Sequence, residues 1–118
     1  MSKKILIIED DLDILDMMDY ILQDEGYEVT ATLDCKPVEE IASIKPDLIL
    51  LDNRLGENSG SNACRKLKTA AATAHIPVIL VSANMHLAQL SMDSLADGYM
   101  AKPFDIQELV AVVRHHLV

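Results

Sequence analysis

Apolar runs of strand length recur along the chain at 5–8, 48–51, 78–81 and 99–101 and, more weakly, at 28–31. Three of them are near-continuous instead of alternating, the pattern of strands covered on both faces in a parallel sheet. Between them lie segments with helical spacing. Ile106, Leu109, Val110, Val113 and Leu117 fall at i, i+3, i+4, i+7 and i+11 and make one apolar stripe. Leu15, Met18 and Leu22 make another, followed by Gly26, which suits a left-handed helix end. Segments 61–68 and 85–95 read as further helices. Pro37 suits the first turn of a short helix through about residue 43, and Pro46 breaks the chain before the next strand. The order is βα repeated five times, which implies right-handed crossovers and a doubly wound parallel sheet with helices on both faces.

At 118 residues the chain has the size of one domain, 1–118, with no repeat, low-complexity tract or linker inside it. Half of the residues are hydrophobic but only 3% aromatic, so aliphatic packing must carry the core. The methionines at 17, 18, 85, 92 and 100 read as core filler, as do Cys35 and Cys64, which are expected to be reduced thiols. The net charge of -9 disfavours direct binding of nucleic acid or anionic lipid. The apolar run near the N-terminus is too short for a signal peptide, and no stretch approaches the roughly 20 apolar residues of a membrane span. No membrane insertion and a cytoplasmic location are the expectation. The four histidines have no obvious metal spacing.

In an open α/β sheet, ligands bind beyond the carboxyl ends of the strands. The residues at those positions are Glu9, Asp10 and Asp11 after the first run, Asp52 after the third, Ser82 and Ala83 after the fourth, and Lys102 and Pro103 after the fifth. Taken singly, most have a bland explanation. Acids suit the first turn of a helix, a lysine before proline is usually a solvated loop residue, and Tyr99 suits a half-buried core position. Asp52 is different, because an aspartate ending the run Leu48-Ile49-Leu50-Leu51 is badly sited for packing and well sited for a crevice. Glu9, Asp10 and Asp52 gathered in one crevice would repel one another unless protons or a cation reduced their charge, and hard oxygen ligands favour magnesium.

The segments ILIIEDD, KPDLILLD followed by Gly60, PVILVSA and GYMAKPF together resemble the response-regulator receiver family of two-component systems over essentially the whole chain. The resemblance implies a flavodoxin-like (βα)5 fold with strand order 2-1-3-4-5. It makes Asp52 similar to the phosphoacceptor. Glu9 and Asp10 resemble the acidic pair that holds Mg2+ with Asp52, and Arg54 would add its backbone carbonyl. Ser82 and Lys102 resemble the groups that bind the phosphoryl oxygens, Tyr99 the aromatic switch residue, and Pro103 the proline often preceded by a cis bond. Arg54 and Asn84 stand where side chains would lie beside the attacking water and tune dephosphorylation.

The donor so implied is a histidine kinase or a histidine phosphotransfer protein. The output is a changed surface on the fourth helix, fifth strand and fifth helix, read by an unidentified downstream protein or used in a homodimer. Such a domain is no enzyme beyond catalysing its own phosphorylation and dephosphorylation. Two departures stand out: Leu55-Gly56 replaces the family's usual Met-Pro, which frees the loop from 53 to 60, and Ser82 replaces its usual threonine. The alternatives are a phosphorylation-independent docking domain with the same fold, a flavodoxin-like cofactor binder, and a haloacid-dehalogenase-like phosphatase suggested by Asp11-Leu12-Asp13.

Overall fold

The computed structural model describes residues 2–55, 58–83 and 85–117, with 54, 55, 58 and 59 described by their backbone alone. In chain order the elements are β1 (Lys4–Ile8), α1 (Leu12–Asp24), β2 (Glu28–Thr32), α2 (Val38–Ile44), β3 (Leu48–Asp52), β4 (Arg54–Leu55), β5 (Asn58–Ser59), α3 (Gly60–Thr69), β6 (Val78–Ser82), α4 (Leu87–Asp93), β7 (Gly98–Ala101) and α5 (Ile106–His116). Five of the strands form one parallel sheet in the order β2-β1-β3-β6-β7, the expected 2-1-3-4-5 arrangement.

The continuous apolar runs follow from that order. Side chains alternate between the two faces of a strand. Ile5, Ile7, Leu48, Leu50, Ile79 and Val81 therefore pack with α1 and α5, while Leu6, Ile8, Ile49, Leu51, Val78 and Leu80 pack with α2, α3 and α4. Every residue of β3 and β6 is buried. The edge strands β2 and β7 are only partly covered, which is why residues 28–31 carried the weaker signal.

Helix ends were legible where a side chain or glycine fixes them. The Asp11 carboxylate caps α1 by accepting from the N–H groups of Asp13 and Ile14, at 3.0 and 3.2 Å. Beyond the other end, Gly26 adopts a φ of 95° and the Tyr27 N–H returns to the Leu22 carbonyl. Asp105 caps α5 by accepting from the Glu108 N–H.

Three expectations are corrected. Of the methionines, Met18 and Met100 fill the core, but Met17, Met85 and Met92 are exposed, because they fall on the outer faces of α1 and of the segment around α4. Ile106, the first member of the α5 stripe, is also exposed, since only Leu109 and Val113 reach the sheet fully. The loop after β3 holds a short antiparallel pair, Arg54 with Ser59 and Leu55 with Asn58, which apolar periodicity could not reveal in two-residue strands. Gly56, on which the expected freedom of this loop rested, lies outside the described residues. Both cysteines are free thiols, Cys64 buried and Cys35 partly so. Among the described residues no helix is long and apolar enough to cross a membrane.

Candidate functional site

The carboxyl edges of β1, β3, β6 and β7 open onto one crevice, lined by Asp10, Asp11, Asp52, Asn53, Ser82, Ala83 and Lys102. Backbone hydrogen bonds fix each contributor. The Glu9 N–H donates to the Thr32 carbonyl at 3.1 Å, continuing the β1–β2 ladder one residue past the strand. The Asn53 N–H donates to the Val81 carbonyl at 3.1 Å, and the Lys102 N–H to the Ser82 carbonyl at 2.9 Å. The strand ends therefore sit level, and the side chains that follow them converge. The Lys102–Pro103 peptide is cis, as the resemblance suggested.

Glu9, Asp52 and Ser82 are buried, with Asp52 only 3% exposed, whereas Asp10 lies at the open rim. Lys102 reaches in from β7, its Nζ 2.7 Å from Glu9 Oε1 and 3.4 Å from Asp52 Oδ1. The contact with Glu9 is an ion pair outside hydrogen-bond alignment, so Glu9 Oε1 has no hydrogen-bond donor, and neither has the buried Asp52 Oδ2. Burial pushes the Asp52 carboxyl up to about 7; contacts from the Glu9 and Asp10 carboxyls and the Glu9 charge add to the rise, and the Lys102 ammonium opposes it. Burial pulls the Lys102 ammonium down, but its contacts with Glu9 and Asp52 and their charges more than reverse this, so its pKa is raised.

Among the described residues Glu9, Asp10 and Asp52 each offer a carboxylate oxygen, and these oxygens all lie within 4.8 Å of one another. Hard oxygen donors in that cluster, with two buried oxygens, Glu9 Oε1 and Asp52 Oδ2, lacking a hydrogen-bond donor, fit a small divalent cation such as magnesium.

The structure thus brings Glu9, Asp10, Asp52, Ser82 and Lys102 to one edge. Tyr99 lies in register with Leu80, two residues before the Ser82–Ala101 pair, and so shares a sheet face with Ser82. It is 51% exposed and belongs to neither core cluster, which sets aside the core-aromatic reading. Asn84 and the Arg54 side chain lie outside the described residues, as does any account of their tuning role.

Two roles were not foreseen from the sequence, that of Gly60, named only as part of a motif, and that of Asn53. A Cβ on Gly60 would come 2.1 Å from the Asp52 carbonyl oxygen and 2.6 Å from Asn53 Cα, so α3 can start against the strand end only with glycine there. The Asn53 side chain then accepts from the Ser61 N–H at 3.0 Å, fixing that helix to the residue after Asp52. The signal was a glycine and an amide close to the key aspartate, visible only once the loop's path is known. Asp11, for its part, caps α1 through one carboxylate oxygen.

Residues 5–114 match the response regulator receiver domain. The chain is 38% identical over 117 residues to the DNA-binding dual master transcriptional regulator RpaA of Synechocystis, covering 94% of this chain and 47% of that protein. It is 32% identical over 120 residues to the DNA-binding response regulator MtrA of Mycolicibacterium paratuberculosis, covering 99% and 52%. Among solved structures, a CheY-like response regulator receiver domain protein from Methanospirillum hungatei superposes with a TM-score of 0.83 at 28% identity, covering 99% of this chain and 94% of that one.

The chain spans about half the length of RpaA and MtrA. Their names overturn the expectation that nucleic acid has no place among the partners. The charge of -9 describes the surface of these 118 residues and carries no information about the other half of such a protein.

Proposed function

The chain belongs to the response regulator receiver domain family of two-component signalling, and from that premise we propose that it is a phosphoacceptor switch taking its phosphoryl group on Asp52. The observation that carries this reading is the buried Asp52 carboxylate at a crevice floor, flanked by the carboxylates of Glu9 and Asp10 and by the Lys102 ammonium. Such a site suits phosphoryl transfer, which demands in-line positioning and neutralised charge more than covalent chemistry from the protein.

In this reading the ionised Asp52 carboxylate is the nucleophile. One of its oxygens forms a bond to phosphorus as the P–N bond to a phosphohistidine breaks, and the electron pair departs with the donor's ring nitrogen. The Lys102 ammonium and the Ser82 hydroxyl face the phosphoryl oxygens and hold them. Glu9, Asp10 and Asp52, with the Arg54 carbonyl, would hold Mg2+, which when bound neutralises charge on those oxygens. The donor is a histidine kinase or histidine phosphotransfer protein, and the chain catalyses only its own phosphorylation and dephosphorylation, the latter tuned by Arg54 and Asn84. The product carries roughly -1.5 to -2 charge, by analogy with other phosphorylated side chains. Ser82 is drawn to it, and Tyr99, on the same face, moves into the space vacated. The altered surface is that of α4, β7 and α5. By likeness to RpaA and MtrA, where this domain is carried on a longer chain the output it governs is DNA binding.

Phosphorus NMR tests the proposal. With Mg2+ and a small acyl phosphate, the protein should show a new protein-bound phosphoryl resonance that chelation prevents and Asp52→Asn abolishes. Its persistence in Asp52→Asn would move the acceptor elsewhere.

A further inference from the structure

Lys102 brings one ammonium to two carboxylates and does not share it evenly. Its Nζ is 2.7 Å from Glu9 Oε1 and 3.4 Å from Asp52 Oδ1. Glu9 is held rigidly. It is 1% exposed, its N–H is bonded to Thr32, and its Oε2 accepts from the Asp11 N–H at 3.3 Å. That leaves Oε1 buried beside the Lys102 ammonium, and Oε1 is the atom that Lys102 contacts. Glu9 is also one of the three residues whose carboxylate oxygens cluster within 4.8 Å. One carboxylate has two cationic claimants.

We infer that Lys102 and the divalent cation compete for Glu9, so that loading the cation releases Lys102 from Glu9 to Asp52. This rests on the metal site proposed above. When ionised, three carboxylates and one ammonium leave two net negative charges, which one divalent cation cancels. The cation's charge beside Glu9 then opposes an ammonium at contact distance. Lys102 can respond, because its ammonium rides on a flexible four-carbon stem that is 19% exposed, while Glu9 is packed in place. Asp52 already lies within reach, so a swing of the stem suffices. The consequence is an order of events in which the cation arrives first, Lys102 turns to Asp52, and the phosphoryl group meets an ammonium aligned for it. Lys102 is thus a positioning partner of Glu9 before it is a ligand of phosphate.

Linkage makes this measurable from both ends. By reciprocity, a cation that weakens the Lys102–Glu9 contact is itself weakened by that contact, so removing Lys102 should tighten the cation. Calorimetric Mg2+ titration of wild type and Lys102→Met should show tightening of about tenfold, within the usual range of such couplings. In a Glu9→Asp background, where the shortened carboxylate draws back from Nζ, Lys102→Met should tighten Mg2+ distinctly less. In the wild type, the Lys102 ε-methylene NMR signal, assigned by its loss in Lys102→Met, should shift with Mg2+ and saturate with the calorimetric binding curve. Mg2+ binding with an unmoved Lys102 signal and unaltered affinity in Lys102→Met would overturn the competition while leaving the metal site standing. Equal tightening in both backgrounds would also overturn it, since the effect would then be general charge removal. No Mg2+ binding in any variant would overturn the competition and the metal site together.

Discussion

Replacing Asp52 by asparagine should stabilise the metal-free protein, and by an amount that grows with pH. The folded-state pKa of Asp52 is raised from 3.8 to about 7, chiefly by burial. For a carboxyl raised on folding, the native state holds its proton more tightly than the unfolded chain. The penalty is therefore absent below about pH 3.8, grows as pH rises between the two values and is complete above about 7. A rise of that size corresponds to about 4 kcal/mol at its upper limit, of which roughly 2 to 3 kcal/mol develops between pH 5 and 8. Urea unfolding in chelator at several pH values gives the answer. The stability difference between Asp52→Asn and wild type should widen from pH 5 to about 7 and level off towards pH 8, and Mg2+ should flatten the wild-type dependence. A difference that stays constant across that range would refute the electrostatic account of the crevice.

Other positions give independent checks. Gly60→Ala places a methyl group against the Asp52 carbonyl, so it should destabilise the fold by about 1 to 3 kcal/mol in denaturant unfolding and weaken Mg2+ binding as the strand end shifts. Ser82→Ala, at a buried position, should slow phosphorylation by a small acyl phosphate roughly a hundredfold in stopped-flow assays while leaving Mg2+ affinity nearly unchanged. Tyr99→Ala should change stability by less than about 1 kcal/mol, given its exposure, yet alter the spectral or binding change that follows phosphorylation. Leu95 holds a φ of 67° after α4 and is half exposed, so Leu95→Gly should raise stability by up to about 1 kcal/mol.

Much of the fold was legible because a doubly wound sheet writes its central strands as unbroken apolar runs. Residues 48–51 and 78–81 could not be half-exposed strands, and β3 and β6 are buried throughout. The site was legible for the same reason: topology places whatever follows those runs on one edge, so Glu9, Asp10, Asp52, Ser82 and Lys102 could be grouped without coordinates. What failed depended on information that periodicity lacks. Met17 and Met92 are as apolar as Met18 and Met100, and only the rotation of each helix against the sheet decides which faces solvent. The Gly60 close approach and the Asn53 bridge depend on a loop path that no local pattern encodes. The uneven sharing of Lys102 between Glu9 and Asp52 is a matter of less than an ångström, beyond any reading of residue order.

Asp52, and no other group, is expected to form a covalent bond to phosphorus when a cation is present. Intact-mass measurement after incubation with Mg2+ and a small acyl phosphate tests it most directly. The wild type should gain about 80 mass units, the mass of one phosphoryl group, with the label mapped to the peptide containing Asp52. Asp52→Asn should gain nothing. An unmodified wild type, or equal modification of both proteins, would contradict the account.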